Sequence, residues 1–163
     1  MKKAIYPGTF DPITFGHIDL IKKSLNIFDK VIVAVSDGNT KNYLFNAEER
    51  KHLIKKALFS DLKFSKKKIV VTSFKTLTTD FCRKMKSNVI IRGLRATSDF
   101  EYEFQLAGMN KQLNKEIETI FLMSDPNNQV ISSNFVKEIA KLKGKISNFV
   151  TKSTAKALTE KYD

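Results

Sequence analysis

The sequence predicts an α/β fold built on a doubly wound, five-stranded parallel sheet with helices on both faces and a last helix at the C-terminus. Three observations predict it. Short β-rich runs alternate with stretches of helical period from one end of the chain to the other. Several strand-like runs, VIVAVS at 31–36 and ETIFLMS at 118–124 among them, are apolar almost throughout, as strands covered on both faces must be. The chain of 163 residues suits one domain, residues 1–163, and no repeat, linker or low-complexity segment divides it.

KAIY at 3–6 reads as the first strand, and a loop rich in proline and glycine follows it. A helix from about Ile18 to Phe28 places Ile18, Ile21, Leu25 and Phe28 on one face. After the second strand at 31–36, Asn46 caps a helix with Glu48 and Glu49 in its first turn and Leu53, Ile54, Ala57 and Leu58 as its buried stripe. KIVVTS at 68–73 is the third strand, and a helix near 77–86 carries Leu77, Phe81 and Met85. NVIIRG at 88–93 is the fourth, leading to a helix near 100–114 with Asp99 or Ser98 as cap and Phe100, Phe104 and Ala107 inward. The fifth strand at 118–124 leads through DPNNQVISS to a helix capped by Ser133, with Val136, Ile139 and Ala140 inward. Residues 151–162 form the last helix.

Composition narrows the function classes. No apolar run approaches the roughly 20 residues that span a bilayer, and MKKAIYPGTF lacks the apolar stretch of a secretory leader. A cytoplasmic protein without a membrane partner is the expectation. Cys82 is the single cysteine, so neither an internal disulfide nor a cysteine-based metal site exists; without a neighbouring histidine it reads as a buried structural thiol. His52, on a lysine-rich helix, reads as surface. The 29 basic and 17 acidic residues leave a net charge of +12, which suits either nucleic acid or polyphosphate substrates. No recognisable nucleic-acid module accompanies the charge, so the reading is no nucleic acid.

In a doubly wound sheet, ligands bind beyond the carboxyl ends of the strands, near the point where strand order reverses. The loops at those ends hold a convergent set: Gly8, Thr9, Phe10, Gly16 and His17 after strand one, Thr40 and Lys41 after strand two, Arg92, Gly93 and Arg95 after strand four, Ser132 and Ser133 after strand five. Glycine lets backbone approach a ligand, and helix starts offer unpaired amides to anions. Neither GxGxxG nor GxxxxGK[ST] is present, so neither a dinucleotide fingerprint nor a P-loop is supported.

GTFDPITFGHIDLI resembles the TxGH signature of the nucleotidylyltransferase superfamily, whose fold is a Rossmann-like five-stranded parallel sheet. IRGLRATSDFEYEFQLAGMN and FLMSDPNNQVISSNFVKEIA extend the resemblance to the phosphopantetheine adenylyltransferase family over essentially the whole chain. The resemblance implies transfer of the adenylyl group of ATP to 4′-phosphopantetheine, giving dephospho-coenzyme A and pyrophosphate. It also implies a homohexamer, feedback by coenzyme A, and Mg2+ bound chiefly through ATP phosphates. The alternative is a sister enzyme acting on nicotinate mononucleotide or a phosphorylated alcohol.

By that resemblance His17, Thr9 and Lys41 are catalytic. Thr9, Phe10, His17, Gly93, Leu94, Arg95, Glu103 and the run Asn128, Gln129, Val130, Ile131, Ser132, Ser133 and Asn134 match ATP contacts. Thr9, Lys41, Thr78 and Arg92 match contacts to the acceptor, and no residue matches a protein metal ligand. Asn128 stands where the family often has tryptophan, and Asn134 replaces the third residue of ISSS or ISST.

Overall fold

The computed structural model describes residues 1–38 and 42–163, with the side chain of Ser98 left aside. Five parallel strands, β1 (Lys3–Gly8), β2 (Lys30–Ser36), β3 (Ile69–Phe74), β4 (Val89–Leu94) and β5 (Glu118–Met123), lie in the order β3-β2-β1-β4-β5. The order reverses between β1 and β4, which places the ligand crevice of such a sheet there. β1–β2, β2–β3 and β4–β5 each pair over six residues, whereas β1 and β4 pair at Ile5↔Ile90. Beyond that point Arg92 of β4 donates from Nη1 to the Pro7 carbonyl at 3.0 Å, so a side chain ties the two central strands where they part.

Residue alternation builds both faces. Val31, Val33 and Val35 of β2, with Ala4 and Tyr6 of β1, meet Ile18 and Ile21 of α1 (Phe15–Leu25) and Ile54 of α2 (Ala47–Lys55). Ile5, Ile32, Ala34 and Ile90 point the other way, to Phe81 and Cys82 of α3 (Thr78–Met85). α2 continues as a π-helical segment, Lys56–Asp61, whose Asp61 carboxylate accepts from the backbone and hydroxyl of Ser153 at 3.0 and 2.9 Å. That docks α6 (Lys152–Tyr162) beside α5 (Ser133–Lys141), and Phe45, Leu53, Val136, Ile146 and Leu158 fill the space between. Among the described residues no helix is long and apolar enough to cross a membrane.

Several local expectations differ from the structure. α1 begins at Phe15, three residues before Ile18, because Thr14 occupies its N-cap. α4 (Thr97–Leu113) has Ala96 at its N-cap, and Asp99 instead accepts the backbone N–H of Arg95 at 3.2 Å. Phe100 and Phe104 of α4 are 45% and 64% exposed, while Glu103 and Asn110 are buried. Glu103 lies on the face that α4 turns to the sheet and reaches Arg92, while Phe104 stays largely exposed and Phe100 meets Phe121 of β5 edge-on. Ser132, not Ser133, caps α5, accepting from Phe135 N–H at 3.1 Å. Leu77 at the N-cap of α3 is exposed as well. Cys82 is fully buried, and burial pushes its thiol up to about 11; His52 is exposed.

Candidate active site

A cleft of about 630 Å³ opens at the carboxyl ends of β1 and β4, lined by the loops that follow β1, β2, β4 and β5. The chain leaves β1 through Pro7 and Gly8, where a Cβ on Gly8 would stand 2.9 Å from the Phe10 ring. Phe10 holds a left-handed backbone, φ 50°, and its ring is 1% exposed, edge-on to Tyr6 and tilted against His17. Phe10 lines the cleft, and its ring is the floor on which the histidine rests.

His17 is the third residue of α1. Its Nδ1 accepts the N–H of the N-cap Thr14 at 3.0 Å, the reciprocal half of a capping box. An Nδ1 that accepts carries no proton, so the ring proton sits on Nε2, the nitrogen left for the cleft. Burial, then the charges of Arg95 and Arg92, lower the imidazole pKa from 6.5 to about 4. At neutral pH His17 is thus an uncharged hydrogen-bond donor, suited to an anionic oxygen that gains charge during reaction.

The start of α5 joins the same corner. The Ser133 hydroxyl donates to the Pro12 carbonyl at 2.7 Å and pins α5 to the β1–α1 loop. Ser132 accepts a backbone N–H through its hydroxyl oxygen and keeps its proton free to donate. With the unpaired amides of a helix N-terminus, this corner is able to accept an anion.

The opposite wall is ionic. Arg92 holds Glu103 through two bonds of 2.7 and 2.5 Å, and Arg95 Nε lies 3.3 Å from Asp99. Burial works against the Arg92 charge, and the bonds to Glu103 more than offset it, so its pKa is held above the ordinary arginine value. Burial also raises the Tyr6 phenol beside them, against the pull of Arg92 and Arg95. Gly93 admits α1 to this wall, since a Cβ there would come within 2.2 Å of Leu20.

The structure brings together Thr9, Phe10, His17, Arg92, Gly93, Arg95, Glu103, Ile131, Ser132, Ser133 and Asn134. Leu94 closes β4 with its carbonyl accepting Ser124 N–H at 3.1 Å, outside the lining. Asn128 ends a 3-10 turn (Pro126–Asn128), Gln129 donates to Ser124 O, and Val130 is 76% exposed, and these three stand outside the described lining. Thr78 opens α3 after the edge strand β3, two strands from the switch point, and is likewise not in the described lining. Thr40 and Lys41 lie outside the described residues.

Sequence reasoning missed Asp11, Arg50 and Lys137. Asp11, 3% exposed, accepts the N–H groups of Leu44 and Phe45, each at 2.9 Å, and pairs with Lys137 at 3.1 Å. Its place between Phe10 and Pro12 was visible, but partners 33 to 126 residues away were not. Arg50 sits in a lysine-rich stretch of sequence and is fully buried in space.

Residues 5–139 match the cytidylyltransferase-like family. The chain is 73% identical over its whole length to the full phosphopantetheine adenylyltransferase of Pelagibacter ubique. The chain belongs to the phosphopantetheine adenylyltransferase family. It is 47% identical to the corresponding protein of Geotalea daltonii, with 100% of this chain and 98% of that relative covered. Solved folds similar to it include a Plasmodium falciparum nicotinic acid mononucleotide adenylyltransferase, TM-score 0.72 at 19% identity, covering 98% of this chain and 96% of that one. A Francisella tularensis bifunctional NMN adenylyltransferase/ADP ribose pyrophosphatase matches at TM-score 0.75 and 16% identity, over 98% of this chain and 49% of that one. These two likenesses show the Rossmann-like fold.

Proposed function

We propose that the chain transfers the adenylyl group of ATP to 4′-phosphopantetheine, giving dephospho-coenzyme A and pyrophosphate. The family supports the substrates, and one structural observation carries the chemistry: a neutral His17 with its proton on Nε2, beside the N-terminus of α5. An oxygen of the acceptor phosphate attacks the α-phosphorus. The bond from that phosphorus to the α,β-bridging oxygen breaks, and its electron pair leaves with pyrophosphate. The nucleophile is already an anion, so the protein need not remove a proton; it aligns two anions and stabilises charge at the α-phosphoryl oxygens. His17 donates there with Thr9 beside it, and Ser132 with the first amides of α5 holds the leaving phosphates.

Mg2+ enters in this reading as part of the nucleotide. Among the described residues the cleft carboxylates Asp11, Asp99 and Glu103 are each paired with a cation, which supports a metal carried by phosphate oxygens and water. Lys41 drawing the two anions together, a cytoplasmic location and coenzyme A as feedback ligand belong to the same proposal. So does a homohexamer, which the exposed apolar side chains of α4, Phe104, Met109 and Leu113, support.

Pyrophosphate release is the test, measured with ATP, Mg2+ and phosphopantetheine, and again with nicotinate mononucleotide as acceptor. Release with phosphopantetheine is the expected result, and release with the mononucleotide alone rejects the proposal.

A further inference from the structure

Arg50 is a charge the mechanism does not use. It is the largest fully buried side chain of the described residues and lies on α2. Nε donates to Phe45 O at 3.0 Å, Nη1 to Thr9 O and Ser36 O at 2.9 Å each, and Nη2 to Asp37 at 3.2 Å. Its guanidinium carbon stands 4.0 Å from the centre of the Tyr43 ring, and Tyr43 lines the cleft. Three of its four acceptors are backbone carbonyls, and its one carboxylate partner, Asp37, is itself partly exposed and shared with Lys75. Burying a guanidinium for so little ionic return is a poor way to hold a fold, because an apolar side chain of like volume packs at lower cost. What the fork does that no apolar group does is fix several acceptors at set distances.

Those acceptors belong to two walls of the site. Thr9 O is on the β1–α1 loop, while Ser36, Asp37, Tyr43 and Phe45 flank the segment between β2 and α2 on both of its sides. Asp11 grips the second flank from the other direction through Leu44 N–H and Phe45 N–H. We infer that Arg50 is a positioning residue for adenylyl transfer: its guanidinium sets the distance between Thr9 and the β2–α2 wall, and so the alignment of acceptor and nucleotide between them. The inference rests on the proposed reaction for its kinetic consequence, and its structural half stands without it. Lysine keeps the charge but cannot hold four acceptors in a plane.

The experiment compares wild type, Arg50→Lys and Asp37→Ala, the last removing one arm of the fork at a partly exposed position. Hydrogen exchange by mass spectrometry reads the segment flanks, Asp37 and Asn42–Phe45, in all three. Steady-state kinetics reads kcat per folded molecule and KM for ATP. The expected result for Arg50→Lys is faster exchange confined to the flanks, kcat lower by about tenfold or more, and ATP KM within about threefold. Asp37→Ala shows the same pattern at smaller size, and decides the matter alone if Arg50→Lys does not fold. Wild-type exchange in the flanks of the folded variants, or unchanged kcat, overturns the inference. So does an ATP KM that rises in step with the fall in kcat, which marks general loss of the site. If wild type releases no pyrophosphate with phosphopantetheine, the proposed reaction fails while the exchange measurement still judges the fork.

Discussion

On the β1–α1 side of the cleft the donors set at helix starts are neutral, His17 Nε2–H, the Ser132 hydroxyl and the first amides of α5, with one ion pair, Asp11 with Lys137, lining the same side. On the β4–α4 side they are ions, Arg92 with Glu103 and Arg95 with Asp99. The difference lies in what holds each group still. Neutral donors are fixed by helix caps, so their strength depends little on salt or pH. The ions are fixed by one another, and each pair is useful only while both members are present.

The largest effect expected from breaking this contrast is on the neutral side. His17→Ala should lower kcat about 10²-fold or more, the size of losing one preorganised donor, and cost about 1 kcal/mol through the lost cap. His17→Gln keeps a capping-box residue in the third helical position. Thermal melting should therefore return to near wild type while turnover stays low, and recovered turnover would show that the cap was all the histidine supplied.

On the ionic side, Glu103→Ala leaves the Arg92 guanidinium without its carboxylate in a site where both side chains are mostly buried. Denaturant unfolding should show a loss of about 3 kcal/mol, with Arg92→Met/Glu103→Met recovering much of it. A Glu103→Ala protein as stable as wild type would place the pair in effective solvent. Ser132→Ala, back on the neutral side, should cost about 1 kcal/mol as a lost N-cap and raise KM for ATP more than KM for the acceptor.

The smallest expected change is with pH. His17 has its pKa lowered to about 4 in the fold against 6.5 for a free imidazole, so between those values the unfolded chain takes up the proton first. Its contribution to stability is therefore constant above pH 6.5 and is lost as pH falls toward 4. Turnover should show no limb near pH 6.5 from this residue, and an NMR titration of its ring proton should have a midpoint near 4. A midpoint near 6.5 would remove the neutral donor from the mechanism.

How legible these walls were follows from the range of the interactions that make them. The strands, the loops at their carboxyl ends and the histidine beside a helix start depend on neighbours a few residues apart, and local pattern shows them. Arg92 and Arg95 were legible as residues, and their pairing with acids on the next helix was among the arrangements the sequence allowed. The inward face of α4 was not, because the apolar period along the helix points to Phe100 and Phe104, whereas Glu103 and Asn110 are the buried residues, Glu103 against Arg92 on another element. Arg50 was invisible: a buried arginine and an exposed one look alike in a lysine-rich helix, and carbonyl acceptors carry no residue type to read.

The strand order has a further consequence, for the order in which a growing chain becomes an enzyme. β1, β2 and β3 lie side by side, with β2 in the middle, within the first 74 residues, so one side of the sheet can pair as soon as it is made. β1 must then wait for β4 with its other edge unpaired, a template for any stray strand. The β1–α1 loop waits longer still, since Pro12 meets Ser133 and Asp11 meets Lys137 across 121 and 126 residues. One of the first segments synthesised is one of the last to be locked, and a chain truncated before α5 has all five strands of the sheet but neither Ser133 nor Lys137 to hold that loop.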